Sequence, residues 1–261
     1  DQFGYDFDSE FAVETYLDYQ GQQFVNRFDA NSYLYVTKAM DYFDLSAKYE
    51  ALDDVMVKVK CKVLVLSFTS DWLYPPYQSK EIVYALTRQR KDVTYLNVLS
   101  DYGHDAFLLE DDVMGKVLSG FLAHTADPDK RRTDALKEDS ELEVGPPVLS
   151  TESIYEGHRV DYDMIVNLVD QGSRVLDLGC GGGELMQQLI VKKNVEGIGI
   201  EKSQGNVVTC TRRGISVVQA DIDNGLTRFP DDSFDFVILS MTLQVLKKPE
   251  LALKEMLRVG K

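Results

Sequence analysis

The sequence predicts an α/β protein made of two successive pieces, each with a parallel sheet. Three observations predict it. Apolar runs of strand length, such as Lys62-Val-Leu-Val-Leu-Ser67, are continuous rather than alternating, as in strands buried on both faces. These runs alternate with stretches of helical spacing, the order that builds parallel sheets. The rhythm breaks once, between 126 and 150, where mixed charge runs into Gly145-Pro146-Pro147.

Taken in order, 9–28 reads as a helix on the spacing of Phe11, Val13, Leu17, Phe24, Val25 and Phe28. A second helix covers 32–44. Strand 62–67, helix 77–90, strand 92–99 and helix 111–123 follow. Beyond the break, a second α/β run begins near His158, with strands at 173–178, 195–200, 215–220 and 234–240. Helices fall at 183–192, 203–213 and 249–258, the last with Pro249 in its first turn. The domains expected are 1–125, with 1–50 and 61–125 as its parts, a linker over 126–157, and 158–261. The acids around Lys130-Arg131-Arg132 make that stretch a solvated linker rather than a basic patch.

Composition narrows the function. A net charge of −15 excludes a binder of nucleic acid or of an anionic membrane, both of which need clustered positive charge. No apolar run approaches the ~20 residues that span a bilayer. The opening Asp1–Glu10 is acidic and aromatic, unlike a signal peptide, and begins without Met, so it reads as a cut or processed end. Cys61, Cys180 and Cys210 are odd in number and fit no zinc spacing, so no metal is expected. They read as reduced, partly buried thiols of a cytoplasmic protein.

Two constellations carry chemistry. Asp71 lies just past one strand and His104 just past the next, where open parallel sheets collect their catalytic groups. A histidine there can take a proton from a hydroxyl nucleophile, and a carboxylate can hold its tautomer. Acid then histidine is the end of the Ser…Asp…His order of α/β-hydrolases. The plainer alternative makes Asp71 a turn cap and His104 a loop histidine; the flanking sequence decides against it. Ser70-Asp-Trp-Leu-Tyr-Pro-Pro76 and Tyr102-Gly-His-Asp-Ala-Phe-Leu108 resemble the acid and histidine segments of homoserine O-acetyltransferase (MetX). Phe11-Ala-Val-Glu-Thr-Tyr-Leu17 through Arg27-Phe-Asp-Ala-Asn-Ser-Tyr-Leu34 resembles the end of that family's lid. The resemblance covers about 1–124. It implies the C-terminal part of an α/β-hydrolase fold, with acetyl-CoA and L-homoserine as substrates. His104 is then the general base, Asp71 its orienting acid, and Asp105 a neighbour of the substrate amine. No Gly-x-Ser-x-Gly occurs in the 261 residues, so the nucleophile, oxyanion hole and first six strands are expected before Asp1.

The second constellation is Asp177-x-Gly179-x-Gly181-x-Gly183, on a strand that runs into a helix. A dinucleotide fingerprint would need glycine where Glu184 stands. The pattern instead resembles the loop of class I S-adenosylmethionine (SAM) methyltransferases, a partial Rossmann-like fold. Glu201 ends the next strand, placed to accept ribose hydroxyls, and Asp221 ends the third, near the adenine position. Gly172-Ser-Arg-Val-Leu-Asp-Leu-Gly-Cys-Gly181, Thr211-Arg-Arg-Gly214, Phe229-Pro-Asp-Asp-Ser-Phe-Asp235 and Glu255-Met-Leu-Arg-Val-Gly-Lys261 together look like MetW, a methionine-biosynthesis protein with a methyltransferase-like fold. One departure is Gly182, where MetW usually has Asp. The two resemblances imply an internal piece of a fused MetX–MetW protein, cytoplasmic, with a homodimer as its expected assembly. The MetW-like half is then a binding and regulatory module; an independent SAM-dependent methyltransferase is the alternative. Each sheet is expected to end in an unpaired strand edge, and the two strands of the first piece to have only a thin core of their own.

Overall fold

A computed structural model describes residues 11–126 and 160–261. The linker expected over 126–157 lies outside them apart from Ala126, as do the first ten residues. The chain divides into two compact units between Glu50 and Ala51.

In the first unit, α1 (Ala12–Arg27) starts where the Glu14 carboxylate accepts the Phe11 N–H at 3.0 Å, and α2 (Ala30–Asp41) where Asp29 accepts the Ser32 N–H at 2.8 Å. Phe24, Phe28 and Tyr33 cluster across the joint between them, with centroids 5.7–6.5 Å apart.

The second unit runs α3 (Leu52–Met56), β1 (Val63–Phe68), α4 (Pro76–Arg88), β2 (Val93–Val98), α5 (Ala106–Leu109), α6 (Asp111–Ala126) and α7 (Val160–Leu168). It continues with β3 (Arg174–Leu178), α8 (Glu184–Lys193), β4 (Glu196–Glu201), α9 (Gln204–Arg212), β5 (Ser216–Gln219), β6 (Phe236–Ile238) and α10 (Pro249–Val259). Helices α3, α5 and α7 are additions to the sequence reading. The rest lie close to their expected spans, although β6 is cut to three residues.

The strands form one six-stranded sheet in the order β1-β2-β5-β4-β3-β6, every pair parallel. This corrects the expectation of two separate sheets. The join is β2 on β5, with Tyr95 opposite Val218. Both side chains are buried, so pairing removes two apolar edges from water at once. The expected unpaired edges remain at β1 and β6, whose residues are mostly half-buried where the inner strands are buried.

The thin core is corrected with it, because both faces of the sheet mix the two sequence pieces. On one face Val83 and Leu86 of α4 share a cluster with Val218, Phe229, Phe234 and Val259. On the other, Val117 of α6 shares one with Leu189 of α8 and Val207 and Cys210 of α9. Each such side chain contributes about 1.5–3 kcal/mol when fully buried. Helices α6 and α9 pack backbone to backbone at Gly120, where a Cβ would stand 2.8 Å from Arg212 Cα. His124, buried beside that contact, donates from Nε2 to the Arg212 carbonyl at 2.6 Å.

Candidate functional site

Because all six strands are parallel, the two predicted constellations lie along the same carboxyl edge of one sheet.

At the β1 end the chain turns sharply, with Asp71 N–H donating to the Phe68 carbonyl at 3.1 Å. Asp71 is 7% exposed. Its Oδ1 accepts the N–H groups of Leu73 and Tyr74, each at 3.0 Å, which leaves Oδ2 to meet His104 Nδ1 at 3.1 Å. Burial pushes this carboxyl up, but the Tyr74 N–H, the His104 ring and the Leu73 N–H outweigh it and hold it below its ordinary value.

His104 sits on a 3₁₀ turn, Gly103–Asp105, and its side chain is 37% exposed. Tyr74 and Phe107 flank the ring at 5.2 and 5.8 Å. With Nδ1 facing Asp71, Nε2 is the nitrogen left for proton transfer. Two contacts that the sequence reading missed tie the acid and histidine loops together. Gly103 N–H donates to Ser70 Oγ at 2.8 Å, and the Thr69 hydroxyl exchanges 3.0 Å bonds with the Ser100 backbone. Gly103 has φ +64°, a conformation that favours glycine. Asp105 is exposed on the same turn.

At the β3 end, Gly179, Gly181 and Gly183 all have positive φ, but they do different work. A Cβ at Gly179 would strike Thr242 at 2.4 Å, and one at Gly183 would strike Ile215 at 2.5 Å. One at Gly181 would meet nothing within 4 Å, so there the backbone fronts open space. Three carboxylates sit at consecutive strand ends around it. Asp177 is buried, and burial, with Glu201 and Glu184 nearby, pushes its pKa up to about 7. Glu201 accepts the Gly181 N–H at 2.9 Å through Oε2, and the Lys202 and Ser203 N–H groups through Oε1. Asp221 pairs with Lys202 Nζ at 2.8 Å, which lowers its pKa. Backbone N–H groups and carboxylates thus converge at the carboxyl ends of β3, β4 and β5.

Arg213, which the sequence offered only as part of the Thr211-Arg-Arg-Gly214 motif, bridges the Gly182 carbonyl at 2.7 Å to Glu184. A Cβ at Gly182 would stand 2.7 Å from Glu184 Oε1, so the departure at 182 makes room for this pair. Cys180 and Cys210 are buried free thiols 3.9 Å apart beneath the loop, while Cys61 is exposed rather than partly buried. Among the described residues no group of three or more His, Cys, Asp or Glu side chains is placed to hold a metal ion. No described helix is long and apolar enough to cross a membrane.

Residues 159–261 match the family model of methionine biosynthesis protein MetW. A bifunctional methionine biosynthesis protein MetXA/MetW of Rhodopirellula baltica is 38% identical over 270 residues, covering 100% of this chain and 40% of that one. A homoserine O-acetyltransferase of Methanohalobium evestigatum is 56% identical over 124 residues, 48% of this chain and 25% of that one. The chain thus spans well under half of these relatives. A SAM-dependent methyltransferase of Archaeoglobus fulgidus aligns in structure at 25% identity and TM-score 0.36, over 39% of this chain and 46% of that one. By sequence, about half of the chain is similar to homoserine O-acetyltransferases, and residues 159–261 are similar to MetW.

Proposed function

We propose that the protein to which this chain belongs transfers an acetyl group from acetyl-CoA to the hydroxyl of L-homoserine, as a step of methionine biosynthesis. The observation that carries this reading is the 3.1 Å contact of His104 and Asp71 within a segment similar to homoserine O-acetyltransferases. A serine from outside the 261 residues supplies the nucleophile, since they contain no Gly-x-Ser-x-Gly. His104 Nε2 takes the serine proton as the oxygen attacks the acetyl carbonyl, then gives it to the departing CoA sulfur. In the second half-reaction it takes the homoserine hydroxyl proton and returns it to serine, releasing O-acetyl-L-homoserine. Asp71 holds Nδ1 protonated and stabilises the imidazolium, and exposed Asp105 attracts the substrate ammonium.

The MetW half is a binding and regulatory module in this reading. Its backbone at Gly179, Gly181 and Gly183, with Asp177, Glu201 and Asp221, holds the adenosyl part of SAM. We keep 1–125, 126–157 and 158–261 as the boundaries of acyltransferase piece, linker and MetW domain. The test is an acetyl-transfer assay on the full-length protein, on its His104→Ala variant and on the 261-residue chain. Turnover is expected only in the first; turnover by the chain alone, lost in its own His104→Ala variant, overturns the assignment of the serine to sequence outside it.

A further inference from the structure

We propose that Gln204 and Gln219, both in the MetW half, are positioning residues for His104, and that they act by completing the hydrogen bonding of β2. The inference rests on the acyltransferase reading above. The β2–β5 ladder has a single aligned pair, Tyr95 with Val218. Past it, the next two amides on that edge, Asn97 in β2 and Leu99 just beyond it, donate to side chains instead of strand backbone. Asn97 N–H donates to Gln219 Oε1 at 2.8 Å, and Leu99 N–H donates to Gln204 Oε1 at 2.9 Å. Two side-chain amides thus stand in for two missing rungs, over the residues that lead into the histidine turn.

The glutamines are themselves held. Gln219 is the last residue of β5, and its Nε2 donates to the Lys202 carbonyl at 3.1 Å. Gln204 opens α9, right after the turn in which Glu201 accepts the Ser203 N–H at 2.7 Å. Their grip falls on an exposed stretch, since Leu99 is 74% exposed and packing alone does not fix it. Three residues on, Tyr102 N–H donates to Ser100 Oγ at 3.3 Å, and Gly103 N–H donates to Ser70 Oγ. A fixed β2 end therefore fixes the chain that delivers His104 to Asp71. A lost rung lets that end fray, because the exposed stretch at Leu99 has few buried contacts to hold it in place.

The test uses the full-length protein with Gln204→Met and Gln219→Met, singly and together, which keep chain length but remove the acceptor. Gln204→Glu keeps an acceptor oxygen and serves as the rescue. Amide hydrogen exchange over 97–104 reads the positioning without reference to turnover. We expect faster exchange there in the double variant, wild-type exchange in Gln204→Glu, and kcat per titrated active site lowered roughly 10- to 100-fold at unchanged KM for acetyl-CoA. A residue that only holds the halves together would lower the melting temperature and the active fraction but leave kcat per active site alone. Unchanged exchange at 97–104 in the double variant, or unchanged kcat per site beside faster exchange, overturns the proposal. An inactive wild type with responsive exchange overturns the acyltransferase reading and leaves the bonding role of the glutamines standing.

Discussion

Asp71 and His104 meet because each terminates a neighbouring strand of a parallel pair, Phe68 opposite Val98 being the last rung before both loops. The pair was legible in the sequence because strand ends and motif text coincide there. Ser70 was not, since a serine that accepts one backbone N–H leaves no pattern. Replacing Asp71 with Asn removes the charge that steadies the imidazolium and the control of its tautomer. In the full-length protein, kcat for acetyl transfer is expected to fall about 10²–10⁴-fold. Asp177 makes a prediction about stability. Its folded pKa, about 7, exceeds its ordinary 3.8, so the folded state binds the proton more tightly. Folding stability then declines as pH rises from about 4 to about 7, with an upper bound on the order of 4 kcal/mol. Asp177→Asn should match the wild type in urea unfolding near pH 4 and exceed it at pH 8. A gap that is constant with pH would mean the carboxyl is already ionised when folded. On the proposed SAM-binding reading, calorimetry should find SAM bound more tightly above pH 7 than at pH 5.5, because a cationic ligand prefers the ionised acid.

The helices and most strands were legible, since continuous apolar runs and helical spacing both survive in one sequence. What escaped was the pairing of β2 with β5. An edge strand and an inner strand have similar composition, and the partner lies more than a hundred residues away, reached through single glutamines without periodicity. Close packing of α6 on α9 escaped for a similar reason: Gly120 looks no different from Gly115 in the same helix. The structure separates them. A Cβ at Gly120 meets Arg212 backbone at 2.8 Å, and one at Gly115 meets nothing within 4 Å. Gly120→Ala is expected to destabilise by about 1–3 kcal/mol through forced separation of the helices. Gly115→Ala should stabilise by about 0.5–1 kcal/mol through helix propensity. Urea unfolding of the two variants checks the contrast, and similar effects at both sites would put the helix contact in doubt.

The sheet joins the described residues of 51–126 and 160–261 into one compact unit. The acid–histidine pair and the glycine loop share its carboxyl edge, and two core clusters run across the join. Trp72, the only tryptophan, reports from the β1–β2 side, and the buried thiols of Cys180 and Cys210 report from the β3–β5 side. Tryptophan fluorescence and thiol accessibility should therefore change at one common urea midpoint. Two separated midpoints would mean the halves fold independently. In the proposed mechanism that join also brings Gln204 and Gln219 to the end of β2, ahead of the turn that carries His104.

The most direct measurement is acetyl transfer from acetyl-CoA to L-homoserine by the full-length protein and its His104→Ala variant, with SAM binding measured in parallel. The account predicts O-acetyl-L-homoserine from the wild type, a loss of at least about 10²-fold in the variant, and equal SAM affinity in both. Equal turnover in the two proteins would contradict it.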